Sequence, residues 1–535
     1  MIVEVDRPDP ILTEVVARSL VSIAEEMAAT LTSLAFSPNI KERWDCSSAI
    51  FDAEGEVIAQ ANRVPLHLGS MIGAVKALLS KYSGAIAPAD MFLVNDPYNG
   101  GGTHLPDINV IAPVFIGVSV VGFVANIAHH ADVGGMVPGS ESALCTTIFQ
   151  EGLRLPMVRI IQAGVLQDDI IGIVLLNSRT PDERMGDLQA QIAACRIGET
   201  RMRELFERYG PATRTCIRFS LQSTGIRFTA AIRSLQTGRY ESEEWLDLAA
   251  GEPPARLCLR LTVADGRLHF DFRETAPQLT GSSRNVPRNA VLATVYAVTK
   301  SLLDPDVLPN AGYFGALDVV TRPGTVFDPL APAAVGTRAI TCGILGDLVV
   351  AALSQATPGH AMACSGPHHL VIFSGPHPRH GDVFVDYETV AGGAGARATA
   401  NGLDGVRVHA SGAANLPIEA LENAYPLRVE RYALRAGSGG SGIHTGGRGV
   451  IRDYRILTLG VTVSLSSERQ VRPAAGIAEG GAGACGTFVL NPGTSEERTL
   501  PSAAVNLPLQ PGDVLRIATP GGGGYGRSVD GRYDH

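Results

Sequence analysis

Lysine is nearly absent from this chain. Among 535 residues carrying 44 Lys and Arg, only Lys41, Lys76, Lys81 and Lys300 are lysines. None closes a G-x-x-x-x-G-K-[ST] motif, which excludes a P-loop, and the Gly-rich stretches lack the strand–GxGxxG–helix setting of a dinucleotide fold. Positive charge is scarce as well. The 53 acids leave a net charge of −9, the wrong sign for nucleic acid, which asks for a basic stripe. The eight cysteines stand singly with no C-x-x-C pair, which fits reduced thiols in a cytoplasm. Cys46, beside a candidate ligand, reads as a buried inert thiol. The N-terminus MIVEVDRPDP is acidic and has no positive n-region, so no secretory signal is expected. Val110 to Ala128 is free of charge over a length close to a spanning helix. Pro113, Gly117, Gly122 and Asn126 interrupt it, β-branched residues dominate it, and no Lys or Arg flanks it, so a β-hairpin is expected and not a membrane span.

What is present is a large globular chain, 45% hydrophobic and 18% charged, long enough for several domains. The expected class is α+β: mixed helix with antiparallel or mixed sheet, and a β-rich C-terminal part. Apolar spacing predicts an amphipathic helix over 11–33 and another over 67–82, ended by Ser83-Gly84. A long charged helix over 181–209 is opened by Pro181 and stopped by Gly210. Residues 214–246 read as mixed, and further helices are expected near 287–303 and 343–355. CSSAIFD and EVIAQ form one hairpin around Ala53-Glu54-Gly55, and RLCLRLTV and RLHFDFRE another around Ala264-Asp265-Gly266. Ala250-Gly251-Glu252-Pro253-Pro254 suggests a boundary. The expected division is 1–248 (metal-site domain), 249–425 (middle α/β domain) and 426–535 (C-terminal β-rich domain). The Gly-rich stretches 391–412, 436–449 and 519–526 suit either linkers or ordered loops at a site or interface.

Chemistry concentrates in Asn95-Asp96-Pro97-Tyr98-Asn99-Gly100-Gly101-Gly102-Thr103-His104-Leu105-Pro106-Asp107. A His and an Asp three residues apart sit in a turn too rich in Gly and Pro to be helical. The strands 108–116 and 119–128 follow, joined by Gly117-Val118, a Gly-X primed-turn pattern. Pairing around that turn brings Asp107 opposite residues 128–129. Adjacent strand residues face opposite ways, so spacing selects one of His129 and His130 without saying which. Asp45 stands at the open end of the earlier hairpin. Two His and two carboxylates, with room for water, suit Zn²⁺ or Mn²⁺ better than a thiolate site. His67 opens a helix and either lines the same cavity or caps the helix. Arg154 suits a substrate carboxylate or phosphate, or an ion pair with Glu151 or another acid. His360, His368, His369, His377 and His380 read as surface histidines around a strand.

SPNIKERWDCSSAIFD, VPLHLGSM, NDPYNGGGTHLPD, AHHADVGG, FQEGLRLP, RTPDERMGDLQAQIAA, GARATANGLDG, LRAGSGGSG and TPGGGGYG together resemble the hydantoinase B family, in motif order from about residue 8 to 526. That family includes N-methylhydantoinase B subunits, the C-terminal half of 5-oxoprolinase, and subunits of acetone-type carboxylases. The resemblance implies an A-type partner of actin-like ATPase fold that binds ATP and phosphorylates the substrate. It implies metal ligands at Asp45, His104, Asp107 and His129; beside them His130 and Asp132 are candidates for proton transfer or support. One departure is that Ser47-Ser48 stands where relatives have Ser-Cys. The implied activity is ATP-dependent, metal-assisted opening of a cyclic amide (a hydantoin, N-methylhydantoin or 5-oxoproline) in a cytoplasmic hetero-oligomer. The alternatives are a subunit of an ATP-dependent ketone carboxylase and a non-catalytic scaffold for the A subunit.

Overall fold

Helix α1 (Pro10–Leu34) begins as its sequence dictates: the Asp9 carboxylate accepts the Ile11 N–H at 2.9 Å, and Pro10 takes a first-turn position where no N–H is needed. The computed structural model describes residues 8–248, 253–379, 381–409 and 411–527. The expected boundary at 250–254 and His380 lie partly or wholly outside them.

The first sheet holds seven strands, all antiparallel to their neighbours, in the order β2-β1-β5-β4-β3-β6-β7. They are β1 (Cys46–Asp52), β2 (Val57–Gln60), β3 (Met91–Val94), β4 (Asp107–Ile116), β5 (Ser119–His129), β6 (Val158–Gln162) and β7 (Val165–Leu166). Helices α1 and α5 (Pro181–Tyr209) cover one face; α3 (Leu66–Lys81) covers the other. The charge-free run from Val110 to Ala128 is therefore the central β4–β5 hairpin, buried on both faces, and needs no bilayer to explain it. Gly117 turns it at φ +58°, the positive φ that a Gly-X primed turn requires. Val121 has no partner, since Phe115 pairs with Val120 and Val114 with Gly122. That bulge shifts the register by one residue and sets Asp107 opposite His129.

Beyond the short α2 (Pro38–Lys41) and α4 (Asp168–Leu176), the mixed segment resolves into α6 (Ala212–Arg233) and β8 (Gly238–Leu246). Strand β8 heads a second sheet with β9 (Ala255–Ala264), β10 (Arg267–Asp271) and β11 (Leu317–Val320), packed on α7 (Arg288–Leu303) and α8 (Arg338–Ala356). Helix α8 starts five residues before the expected 343, because Arg338 through Cys342 pack as an additional turn. It is the one helix among the described residues long and apolar enough to cross a membrane, and it is mostly buried inside the protein.

Two antiparallel sheets form the C-terminal part. One is β13 (Val383–Val390), β12 (His369–Pro376), β16 (Thr462–Ser466) and β19 (Ala503–Pro508). The other is β14 (Leu427–Leu434), β15 (Val450–Ile456), β20 (Val514–Ala518), β17 (Thr487–Leu490) and β18 (Arg498–Leu500), with α9 (Ile418–Ala424) beside β14. Strand pairing crosses both expected boundaries: β8 joins β9, and β12 joins β16.

The Gly-rich stretches are ordered, backbone against backbone. Gly393 donates to Pro520 O at 3.0 Å, Gly440 to Gly522 O at 2.9 Å and Gly524 to Gly481 O at 2.8 Å. Segments this close leave no room for a Cβ.

Among the described residues the surface reading of the histidines holds for His360; His368, His369 and His377 are buried. The reason is that β12 is covered on both faces: Leu370 and Ile372 meet Ile340 and Tyr387, while Val371 and Phe373 enter the C-terminal core. His369 lies edge-on to Phe488, and burial pushes its pKa down to about 3. The unfolded chain takes up that proton from about pH 6.5 downwards and the folded chain does not. Stability from this group is thus full above pH 6.5 and is lost as pH falls toward 3. In urea melts between pH 7.5 and 5, His369→Asn should make the decline shallower by up to about 1.4 kcal/mol per pH unit. An unchanged slope would count against that assignment.

Candidate metal centre

The turn from Asn95 to Asp107 is clamped from several sides. Asn95 donates to Leu105 O (2.8 Å) and Leu153 O (2.9 Å) and accepts the Leu155 N–H (2.7 Å). Asp96 accepts the Tyr98 N–H at 2.9 Å, a local turn bond. Gly101, at φ +87°, lies so close under α3 that a Cβ would fall 2.2 Å from Ala74 N. The result is a His104 with no exposed surface.

Five of the residues singled out in the sequence converge here. His104 Nε2 lies 3.2 Å from Asp107 Oδ2, and His67 Nε2 lies 3.5 Å from Asp45 Oδ1 and 3.6 Å from Asp107 Oδ1. His129 is paired with Asp107 in register, and its N–H donates to Asp45 O at 2.9 Å. His67, at the start of α3, thus lines the cavity; its Nδ1 is 3.1 Å from Ser47 Oγ.

Glu141 was not legible in the sequence. It arrives from the loop after β5, and its Oε1 lies 3.0 Å from His104 Nδ1 and 3.1 Å from His129 Nε2, and accepts Tyr387 OH at 3.2 Å. His104, His129 and Glu141 each present a ligand atom within 4.8 Å of the others. Arg338 was missed too, since it lies in the first turn of α8. Its Nη2 donates to Asp107 Oδ2 at 2.6 Å, and Thr103 Oγ1 donates to the same oxygen at 2.9 Å. Asp107 Oδ1 is left with no hydrogen-bond partner, and so is His104 Nε2. Each keeps only a looser charge contact, Asp107 Oδ1 with His67 and His104 Nε2 with Asp107 Oδ2, and buried polar atoms without a hydrogen bond are costly.

The electrostatics follow from this crowding. Burial works against the charged form of Asp107, but His104, Arg338 and His67 hold its pKa well below the usual carboxylate range. Asp45 and Glu141 are likewise lowered against burial, Asp45 chiefly by His129 and His67, Glu141 chiefly by His104. His104 is raised: burial and Arg338 oppose its charge, and Asp107 and Glu141 outweigh them.

Three sequence candidates lie outside the cluster. His130 points to the opposite side of the sheet, where its Nε2 meets Gln191 Oε1 of α5 at 2.9 Å; burial and Arg184 push its pKa down to about 4. Asp132 is consumed in holding a loop, accepting the N–H groups of Gly134, Gly139 and Arg179 and pairing with Arg179 Nη1 at 2.9 Å. Arg154 pairs with Asp96 at 2.8 Å and lies over the Phe149 ring. The acid it finds is Asp96, since Glu151 accepts the Val335 and Gly336 N–H groups instead. Cys46 is buried, its thiol pushed up to about 12 by burial and by Asp45, as an inert thiol should be.

Comparison with known proteins agrees over the whole chain. It is 34% identical to 5-oxoprolinase 1 of Arabidopsis thaliana, covering 95% of this chain but only 41% of that longer one. It is 31% identical to the putative D-/L-hydantoinase B-type chain of Pseudomonas sp. (strain NS671), over 98% of this chain and 90% of that one. The ATP-dependent caprolactamase of Pseudomonas jessenii superposes with a TM-score of 0.88 at 27% identity, over 97% of this chain and 92% of the other. With the Hydantoinase B/oxoprolinase family model matching residues 9–528, the chain belongs to the hydantoinase B/oxoprolinase family.

Proposed function

We propose that this chain is the B-type subunit of an ATP-dependent cyclic-amide hydrolase, opening a hydantoin, 5-oxoproline or related lactam that an A-type subunit has phosphorylated. The observation that carries the reading is the pair of orphaned buried atoms, His104 Nε2 and Asp107 Oδ1, inside a cluster of imidazoles and carboxylates. That donor set suits a divalent cation of the Zn²⁺ or Mn²⁺ kind, held by Asp45, His104, Asp107 and His129. Such a cation would supply a Lewis acid beside the amide carbonyl and a source of nucleophile at neutral pH.

The chain's own residues prepare that chemistry. His104 Nδ1 directed at Glu141 leaves Nε2 available toward the cluster. Arg338 and Thr103 fix Asp107 through Oδ2 and turn Oδ1 inward. Tyr387 lies against the His129 ring, 4.3 Å between centroids with the planes tilted by 32°, and borders the cluster from the C-terminal part of the chain. A five-membered cyclic amide is a poor electrophile. Phosphorylation of its oxygen on the partner activates the carbon: water adds, the ring nitrogen departs with a proton to leave an acyl phosphate, and a second water releases phosphate and the carboxylate. This division of labour gives ATP to the A-type subunit and fits the missing P-loop.

Co-purification with an A-type subunit, followed by ATP-dependent screening of cyclic amides, tests the reading. Ring opening coupled to phosphate release is expected, with no ATPase from this chain alone. ATP turnover by the isolated chain, or turnover only with a ketone and bicarbonate, would overturn it. Within an active complex, Arg338→Gln should weaken divalent-cation affinity about 10–100-fold by titration, because the group orienting Asp107 is lost.

A further inference from the structure

Beside the cluster lies a cavity of about 40 Å³, room for about three waters or the oxygens of one small oxyanion. Asp45, His67 and His129 form its metal-cluster wall; Arg338, His368 and Arg407 line it elsewhere. Arg407 comes from the loop after β13 and is an unusual arginine. Its Nη2 donates to Thr389 O at 2.6 Å and its Nη1 to Ser411 Oγ at 3.4 Å, while Nε has no partner. No carboxylate lies within ion-pair distance of it among the described residues. Burial, and then the neighbouring Arg43, draw its pKa down to about 9.

Arg43 is in the same position. It donates to Asn39 Oδ1, Tyr387 O, Thr389 Oγ1 and Ala414 O, all of them uncharged. Two guanidinium groups therefore meet at Thr389, Arg43 on its hydroxyl and Arg407 on its carbonyl, with neutral hydrogen-bond partners only. Neither makes an ion pair among the described residues; the carboxylate whose charge acts with both is Asp45, which a cation at the cluster would engage in their place. His368 also lines the cavity, and its ring makes no hydrogen bond among the described residues. Burial and Arg407 push its pKa down to about 3, so it is a neutral imidazole with a donor to offer.

The charge inventory gives the size of the missing partner. Arg43, Arg338 and Arg407 balance Asp45, Asp107 and Glu141. A divalent cation at the cluster would then leave two positive charges uncompensated. A monoanionic carboxylate answers half of that; a phosphoryl dianion answers all of it.

We propose that Arg407 and His368 form an oxyanion subsite beside the metal cluster that takes the phosphoryl group of the activated substrate. The proposal rests on the hydrolase reading above and deepens it: the same cavity would hold the phosphoryl group that the partner attached, through departure of the ring nitrogen, until a second water cleaves the resulting acyl phosphate to carboxylate and phosphate.

The test is binding, not turnover, so that its failure is separable from failure of the hydrolase reading. The full chain, loaded with Mn²⁺, is titrated calorimetrically with inorganic phosphate and separately with acetate. Phosphate should bind at least ten-fold more tightly than acetate. Arg407→Gln should weaken phosphate at least ten-fold, Arg407→Lys should recover part of the loss, and Mn²⁺ content should stay unchanged. His368→Asn, a second variant away from the loop, should weaken phosphate several-fold. Phosphate affinity unchanged in Arg407→Gln or in His368→Asn, no phosphate binding by the wild type, or tighter binding of acetate would each overturn the proposal. Absence of ATP-dependent ring opening in an active-site-intact complex would overturn the hydrolase reading and leave these affinities as they stand.

Discussion

Asp107→Asn in the complex with an A-type subunit should lower ATP-dependent ring opening by about 10³-fold or more, the scale of several kcal/mol of lost transition-state stabilisation. The argument is geometric. Asp107 divides its two oxygens between tasks: Oδ2 takes Arg338 and Thr103, and Oδ1 faces His67 in the cluster without a hydrogen bond. Neutralising it would take the charge from a proposed ligand and leave Arg338 a buried cation without its acid, so about 3–5 kcal/mol of stability should go as well. His104→Ala separates the two effects, because it deletes a proposed ligand and leaves the Arg338–Asp107 pair in place. Both variants should lose activity, and only Asp107→Asn should melt much earlier. Full hydrolysis by either variant at unchanged metal content would favour a scaffold without chemistry.

Gly521→Ala is expected to cost about 3 kcal/mol or more and to yield little folded protein. A Cβ there would sit 1.9 Å from Ser438 O and 2.4 Å from Ser438 C, both backbone atoms of a segment that is itself hydrogen-bonded into the Gly-rich layer. Nothing flexible is available to move. Gly172→Ala is the matching control: it lies exposed in α4 with nothing near its Cβ, and should stabilise by about 0.5–1 kcal/mol. Thermal melts of the two variants check both signs. A Gly521→Ala protein as stable as the wild type would mean that the layer is slack.

The same layer shows where sequence reading stops. Gly-rich composition leaves linkers and ordered loops equally open, because the decision lies in which segments meet, and that is a long-range fact. The β4–β5 hairpin was legible from β-branched residues and a Gly-X turn. Its register was not, since the bulge at Val121 carries no local sequence pattern and shifts the pairing by one residue. Family resemblance, and not spacing, preferred His129 over His130. The structure puts His129 in the cluster and His130 against Gln191, the two faces that strand alternation requires. Glu141, Arg338 and Tyr387 had no sequence signal: one is an acid in a Ser-rich loop, the others lie more than 200 residues from the His104 turn. His368 and His369 were misread because strands buried on both sides look, between Gly-Pro turns, like exposed ones.

The central claim is a divalent-cation site built from Asp45, His104, Asp107 and His129. It is tested most directly by metal content and equilibrium Mn²⁺ and Zn²⁺ binding of the purified full chain, wild type beside His104→Ala. The account predicts about one tightly held cation per chain, lost in the variant while the fold persists. A wild-type chain that holds no cation, or a variant that holds it equally well, would contradict it.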